Sequence, residues 1–307
     1  MTRVLFVRTF VRPTGGNVTV RDLFYHALAY PRFDARIWFA PGSRHAQSDL
    51  WSDLPAGRVV ADPDWDAYDL VVVNGKDWRL LPQHDAPFRV IHTVQHLGYA
   101  ADAELRGYLE REAVRICISS AVEQSIRPYA NGPVVLIPNG VDTALFHPDA
   151  TRRAGSVVMW AGKAPQLGAA VASRLAAAGV ATDVIVEWLP RAEFAARLRA
   201  ADVVVALPLA AEGFYRPALE AMACGAAVVC SDAAGNRGHC IDGETCVQPP
   251  HGDADAHADA VLRLLADSGL RERIRAGGLA VARRFDLAFE REQVHALFDR
   301  LLEPVER

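Results

Sequence analysis

The stretch ADVVVALPLAAEGFYRPALEAMACGAAVVCSD, residues 201–232, decides the fold of this chain. Ala201–Leu209 is almost continuously apolar and rich in valine, which predicts a strand covered on both faces of a parallel sheet. Pro217 suits the first turn of a helix, and Gly225 suits its left-handed end. Ala226–Cys230 begins the next strand. The stretch therefore predicts a strand, turn, helix and strand of an α/β protein.

Two carboxylates frame the predicted turn. Glu212, Gly213 and Phe214 follow the first strand at its carboxyl end, where open α/β sheets bind their ligands, and Glu220 lies in the helix. A charge in so apolar a segment is costly unless it is hydrogen-bonded, and a carboxylate accepts bonds from pairs of sugar or ribose hydroxyls. The backbone N–H groups at the helix start favour an anionic or hydroxyl-rich ligand. A helix cap plus a structural salt bridge explains the spacing of the two residues equally well.

The whole string EGFYRPALEAMACG, residues 212–225, is more specific than that spacing. It resembles the donor site of family 4 of the retaining glycosyltransferases (glycosyl transferases group 1), in which EGFG is followed by EAMA and a small residue before glycine. Tyr215 stands here in place of the second glycine of that motif. The resemblance implies the GT-B fold, an α/β architecture of two facing Rossmann-like domains with a C-terminal helix that crosses back to the N-terminal domain.

The length of 307 residues accommodates two domains of about 150 residues each. We expect an N-terminal, acceptor-side domain over 1–148, a donor domain over 149–285 and the returning helix over 286–307. Ile137–Pro148, IPNGVDTALFHP, resembles the segment that joins the two domains in the family. Asp286 is the expected N-cap of the last helix. Its apolar residues follow helical spacing: Val294, Leu297, Phe298, Leu301 and Leu302.

Composition narrows the functional classes. A net charge of −4 gives no reason to expect a nucleic-acid partner. No stretch has the roughly 20 apolar residues of a membrane span, and the N-terminus has the pattern of a strand and not of a signal peptide. The five cysteines form no CxxC pair, which fits reduced thiols. We therefore expect a cytoplasmic protein.

A Gly15-Gly16 pair follows the first predicted strand and precedes a helix expected from about Val18 to Tyr30. Two glycines let another molecule approach the backbone closely, although an ordinary turn explains them as well. In the family that the chain resembles, a glycine pair at this place faces the donor diphosphate and the acceptor. The resemblance therefore favours donor binding by Gly15 and Gly16.

A histidine follows the predicted strand Phe88–Val94. In the family, a histidine just after this strand contacts the transferred sugar, and His96 matches that position best, with His92 as its rival. Without the resemblance, either residue is explained as a structural histidine.

Asp64-Trp65-Asp66 has the DxD spacing of metal-dependent glycosyltransferases of another fold. A metal site of that kind needs carboxylates after a strand and against a nucleotide. These two aspartates instead precede the predicted strand Leu70–Asn74, among turn-forming residues. We predict a solvated turn and no metal.

Lys163 follows the first predicted strand of the donor domain, Val157–Ala161. The family places two cations here, and both neutralise the leaving diphosphate. Lys163 replaces the first, the second is missing, and Arg216 or Arg237 is the candidate to compensate. A surface lysine is the alternative explanation for Lys163.

The loop after the predicted strand Asp183–Trp188 is where this fold holds the nucleotide base. Trp188 either stacks on that base or fills the domain core, and Leu189 adjoins it. The resemblance thus implies one set of donor-binding residues: Gly15, Gly16, Lys163, Trp188, Leu189, Glu212, Gly213, Phe214, Tyr215, Arg216 and Glu220. His96, Lys163 and Glu212 are the expected catalytic residues.

Together these features predict a retaining, metal-independent glycosyltransferase of the hexosyltransferase kind. No cofactor is expected, since the nucleotide-diphosphate sugar, carrying UDP or GDP, is the substrate. The acceptor is a small molecule or glycan, as in bacterial natural-product or glycan biosynthesis, and the oligomeric state stays open. Two alternatives remain: a sugar-nucleotide epimerase of the same fold, and a non-catalytic protein that binds sugar nucleotides.

Overall fold

A computed structural model describes residues 1–82 and 87–303 and divides the chain into two compact units. The first unit contains the described residues of Met1–Asn139 together with residues 288–303. The second unit is Gly140–Leu287. The sequence placed the division between the domains after residue 148.

The first unit is built on a parallel sheet of seven strands in the order β3-β2-β1-β4-β5-β6-β7. Strands β1 and β4, at the centre of the sheet, are buried on both faces, as their apolar composition predicts. The strands are β1 (Thr2–Arg8), β2 (Phe33–Phe39), β3 (Val59–Val60), β4 (Leu70–Asn74), β5 (Arg89–Val94), β6 (Val114–Cys117) and β7 (Val134–Leu136).

The α-helices described in this unit are α1 (Gly15–Ala29), α2 (Ala103–Leu109), α3 (Ser120–Ile126) and α9 (Leu287–Leu302), whose first residue is the last of the second unit. Helix α9 packs on the first unit through Phe298, whose ring centroid lies 4.6 Å from that of Phe33 and 5.4 Å from that of Tyr30. The helical spacing of its apolar residues therefore predicted both the helix and its buried face. The prediction that the last helix returns to the N-terminal domain is confirmed.

The second unit has a parallel sheet of four strands in the order β11-β10-β8-β9. Its core is formed by these strands and by α4, α7 and α8. The strands are β8 (Val157–Trp160), β9 (Thr182–Ile185), β10 (Val203–Ala206) and β11 (Ala227–Cys230). The helices are α4 (Pro165–Ala177), α5 (Arg191–Ala200), α6 (Arg216–Ala223), α7 (Ala254–Ala266) and α8 (Ser268–Arg284). The predicted α/β class with parallel sheets is confirmed.

Among the boundaries that differ from the expected ones, two affect the candidate site directly. Helix α1 begins at Gly15, three residues before the expected start, because the Thr14 hydroxyl caps it by accepting a hydrogen bond from Asn17 N. The strand expected to reach Leu209 ends at Ala206, shortly before Pro208, which has no N–H to donate. Gly15 and Gly16 therefore form the first turn of a helix and not a loop before it.

Candidate functional site

The turn between β10 and α6 contains Glu212, the first carboxylate of the motif. Gly213, Phe214 and Tyr215 are buried, and Tyr215 has a φ of 65°, a left-handed conformation that non-glycine residues seldom adopt. The backbone thus adopts at Tyr215 a conformation in which glycine is unstrained. At the other end of α6, Gly225 has a φ of 73°, as its position after the helix predicted.

Lys163 and Glu212 lie together at the carboxyl edge of the second unit's sheet. Each follows one of two adjacent parallel strands, β8 and β10, so both leave the sheet at the same edge. Lys163 Nζ is 3.6 Å from Glu212 Oε1, with side-chain exposures of 52% and 15%. Lys163 is half-exposed, whereas Glu212 Oε1 is shielded from solvent and accepts no hydrogen bond from the described residues, so the carboxylate has acceptor capacity left for a ligand. The structure therefore brings together two of the three predicted catalytic residues.

A second loop holds the Glu212 turn in place. Gly235 N donates a 2.9 Å hydrogen bond to Glu212 O, and Ala234 N donates one of 3.0 Å to Ala210 O. The two backbones are so close that a Cβ on Gly235 would lie 2.0 Å from Gly213 O. Only glycine fits at position 235, because the atom it would meet is backbone and cannot turn aside.

Glu220, the second carboxylate of the motif, is buried within α6 and forms an ion pair with Arg191. The distance from Arg191 Nη1 to Glu220 Oε1 is 3.1 Å, and the side-chain exposures are 18% and 6%. Arg191 is absent from the residues that the sequence predicts. The signal that could have identified it is its position in the sequence, two residues after Leu189 of the predicted base-binding loop.

Trp188 and Leu189 are both half-buried in that loop. The preceding strand ends at Ile185 and not at Trp188 as expected, so Trp188 belongs to the loop and not to the sheet. Its indole N–H has no hydrogen-bond partner within residues 1–82 and 87–303.

Both arginines that were proposed to compensate for the missing cation already have partners within the protein. Arg216 is buried, and its Nη1 donates a 2.9 Å hydrogen bond to Gly140 O. Arg237 is exposed and forms two hydrogen bonds of 2.7–2.8 Å with the Asp232 carboxylate, whose pKa it holds below the usual range. Lys163 is thus the cation that the structure places beside Glu212.

Behind the Glu212 turn lies a layer of buried polar groups. The hydroxyl of Tyr215 has no hydrogen-bond partner in the described part of the chain, and the His239 ring is fully buried beside it. Burial lowers the pKa of His239 to about 4 and raises that of Tyr215 above its usual range. The His239 ring packs against Phe214, with ring centroids 4.8 Å apart. At neutral pH this layer is therefore uncharged.

In the first unit, the predicted residues gather at the carboxyl ends of β1 and β5. A Cβ on Gly15 would meet no atom within 4 Å, whereas one on Gly16 would lie 2.6 Å from Gln95 Oε1. Gln95 Nε2 also donates a 3.2 Å hydrogen bond to Gly16 O. Gly15 is therefore the more open of the two glycines.

The two candidate histidines have different environments. His96 is exposed, and its Nδ1 accepts a 3.2 Å hydrogen bond from Gly98 N, which leaves the proton of the neutral ring on Nε2. Partial desolvation lowers its pKa. His92 is fully buried among aromatic rings, and burial with the nearby Arg115 cation lowers its pKa to about 3. Of the two, only His96 is accessible to a ligand.

Asp64 and Asp66 are exposed at a single 3-10 turn before β4, in agreement with the predicted turn. Across the described ranges, no group of three or more His, Cys, Asp or Glu side chains is arranged to hold a metal ion. Among the helices described, none combines the length and the apolar character required to cross a bilayer.

Residues 138–267 match the family model of glycosyl transferases group 1. Phosphatidyl-myo-inositol mannosyltransferase of Mycobacterium leprae is 39% identical over 105 residues, which cover 34% of this chain and 28% of that protein. The Mycolicibacterium smegmatis protein of the same name is 29% identical over 304 residues, covering 86% of this chain and 76% of its own. The matched stretch thus spans less than a third of the Mycobacterium leprae relative.

Solved structures share the fold of the whole chain. HepE of Anabaena, in complex with UDP-glucose, superposes with a TM-score of 0.78 at 16% identity, over 98% of this chain and all of that one. Sucrose-phosphate synthase of Thermosynechococcus elongatus gives a TM-score of 0.74 at 22% identity, over 98% and 99% of the two chains. The GT-B fold that the resemblance implied is confirmed.

Proposed function

We propose that this chain, whose residues 138–267 match the family model of glycosyl transferases group 1, transfers a sugar from a nucleotide-diphosphate donor to an acceptor hydroxyl with retention of configuration and without a metal. The observation that carries the proposal is the Lys163–Glu212 pair, 3.6 Å apart at the carboxyl edge of a parallel sheet. Such an edge is where open α/β sheets bind nucleotides, and the pair offers one cation and one carboxylate there.

The donor is recognised by groups of the second unit. The Glu220 carboxylate accepts hydrogen bonds from the ribose hydroxyls, and Glu212 with the Gly213–Phe214 backbone binds hydroxyls of the sugar. Lys163 neutralises the diphosphate. Because negative charge grows on the leaving phosphate as the glycosidic bond breaks, a cation fixed there stabilises the transition state more than the ground state.

The resemblance also assigns substrate contacts to residues of the first unit. The Gly15–Gly16 start of α1 is open at Gly15, and the N-terminus of a helix suits an anionic ligand. His96 donates from Nε2 to a hydroxyl of the transferred sugar near the reacting carbon. No protein nucleophile is required in this scheme, since the leaving phosphate itself orients the incoming acceptor.

The names of the relatives guide the choice of donor and acceptor. The mycobacterial proteins are named as mannosyltransferases of phosphatidyl-myo-inositol, and HepE was solved with UDP-glucose. We therefore expect a mannosyl or glucosyl donor, carried on GDP or UDP, and a small molecule or glycan that presents a polyol hydroxyl. These names also favour transfer over epimerisation or simple binding.

The proposal is tested by incubating the purified chain with GDP-mannose and UDP-glucose, with and without myo-inositol or phosphatidylinositol vesicles. We expect nucleotide release that needs the acceptor, survives EDTA and gives a product whose anomeric configuration by NMR equals that of the donor. Epimerised donor without acceptor would point to an isomerase, and tight binding without turnover to a binding protein. Activity that EDTA abolishes and Mg²⁺ restores would refute metal independence.

A further inference from the structure

Arg191 is a largely buried cation for which the proposed chemistry has no role. It is the first residue of α5, and its guanidinium lies between the Glu220 carboxylate and the Phe146 ring. Nη1 is 3.1 Å from Glu220 Oε1, and Cζ is 5.0 Å from the centroid of the Phe146 ring. All three side chains belong to the second unit.

Glu220 requires a partner of this kind. The carboxylate projects from α6, a helix whose other residues, Pro217 excepted, are all buried, and its own side chain is only 6% exposed. An ionised carboxylate so far from water is costly unless a cation or several hydrogen-bond donors face it. Arg191 supplies the charge from a neighbouring helix, 29 positions away in the sequence.

Arg191 is itself held from two sides, so it imposes a direction on the carboxylate. Phe146 is fully buried, and its ring face receives the guanidinium in a cation–π contact. The guanidinium is planar and rigid, which makes its hydrogen bond to Glu220 directional where an ammonium would be free to rotate. A carboxylate with one oxygen held in this way keeps its remaining acceptor directions defined.

We propose that Arg191 is a positioning residue that keeps the Glu220 carboxylate oriented for the ribose hydroxyls of the donor. Discrimination between a ribonucleotide and its dideoxy counterpart then depends on Arg191, although Arg191 itself need not touch the nucleotide. The proposal rests on the proposed function, which makes Glu220 the ribose-binding residue. The competing role, a direct contact from Arg191 to the diphosphate, predicts a different pattern of binding.

The test compares the binding of UDP and GDP with that of their 2′,3′-dideoxy forms by titration calorimetry. A charge-assisted hydrogen bond contributes about 1.5–3 kcal/mol, so the wild-type chain should bind the better ribonucleotide about 10–150 times more tightly than its dideoxy form. Arg191→Gln should reduce that ratio to less than about threefold, mainly by weakening the ribonucleotide. Arg191→Lys should retain an intermediate ratio, because it restores the charge without the directional fork.

Two further variants make the result specific. Arg197→Gln is the matched control, since Arg197 lies on the same helix but pairs with the exposed Asp183 and Glu193, and it should keep the wild-type ratio. Phe146→Leu keeps an apolar side chain but removes the aromatic face beneath the guanidinium, and it should lower the ratio in part. If Arg191→Gln fails to fold, the Lys and Phe146 variants decide the question.

Each outcome has one meaning. An equal loss of affinity for ribo- and dideoxynucleotides in the Arg191 variants would show a phosphate contact and overturn the positioning role. If the ratio of ribonucleotide to dideoxynucleotide affinity is unchanged in the Arg191 variants, the positioning role is overturned as well. A wild-type chain that binds nucleotides but never discriminates ribose would refute this inference and leave the proposed transferase in place. No binding of either nucleotide by the wild type would refute both.

Discussion

Lys163 is one of only two lysines in the sequence, the other being Lys76, and it is the cation that lies beside Glu212. We predict that Lys163→Ala lowers kcat by about 10²–10³ with saturating donor, because a preorganised charge opposite the leaving phosphate is lost. Lys163→Arg should recover much of that rate. Steady-state kinetics on the active donor measures both variants.

Lys76→Ala is the control for this experiment. Lys76 is exposed and pairs with Asp102 and Glu104 on the surface of the first unit, so its removal should leave kcat unchanged. A Lys163→Ala variant with a normal kcat would mean that the diphosphate is neutralised elsewhere, and the role assigned to Lys163 would be wrong.

Tyr215 combines a left-handed backbone with a buried hydroxyl that lacks a partner in the described ranges. We predict that Tyr215→Phe leaves the free energy of unfolding unchanged or raises it by about 1 kcal/mol, because an unsatisfied buried polar group is removed. Tyr30→Phe is the contrast, since the Tyr30 hydroxyl donates to Asp299 and its loss should cost about 1 kcal/mol. Chemical denaturation measures both. Equal destabilisation by the two changes would reveal a partner for the Tyr215 hydroxyl.

At the scale of elements, the loop around Gly235 braces the Glu212 turn. We predict that Gly235→Ala weakens donor binding at least tenfold and destabilises the protein by about 1–3 kcal/mol, since the new Cβ would meet Gly213 O at 2.0 Å and push the two loops apart. Calorimetric titration with the donor nucleotide and thermal unfolding measure the two effects.

The matched control is Gly107→Ala, in the middle of α2. A Cβ there meets no atom within 4 Å, so alanine should stabilise that helix by up to about 1 kcal/mol. If Gly235→Ala binds the donor as tightly as the wild type does, the loop around Gly235 does not position Glu212.

At the scale of the whole molecule, α9 belongs to the same compact unit as the N-terminal strands, because it packs on the start of β2. We predict that Phe298→Ala destabilises the first unit by about 3–5 kcal/mol, since it removes a buried ring that contacts Tyr30 and Phe33. Hydrogen exchange should accelerate in Met1–Asn139 and much less in Gly140–Leu287.

Phe289→Ala, on the same helix, is the control, because that ring is 51% exposed and its loss should change exchange little. Equal acceleration of exchange in both units after Phe298→Ala would show that they unfold as one cooperative body.

The amino-acid sequence alone determined the parallel α/β class, the strand–turn–helix over residues 201–232 and the returning C-terminal helix. These features depend on local patterns: apolar runs of strand length, Pro217 and Gly225 at the ends of α6, and helical spacing near the C-terminus. Only the tertiary structure determined which distant residues contact the side chains of these elements. Arg191 pairs with Glu220 across 29 positions, because the packing of α5 beside α6 brings them together.

Tertiary packing also distinguishes candidate site residues that the sequence could not tell apart. His92 and His96 are four residues apart, yet the first lies inside the sheet and the second beyond its edge. Arg216 belongs to the donor motif but is buried against the Gly140 carbonyl. Burial and partnership depend on strand order and on contacts between distant residues, and no local pattern encodes them.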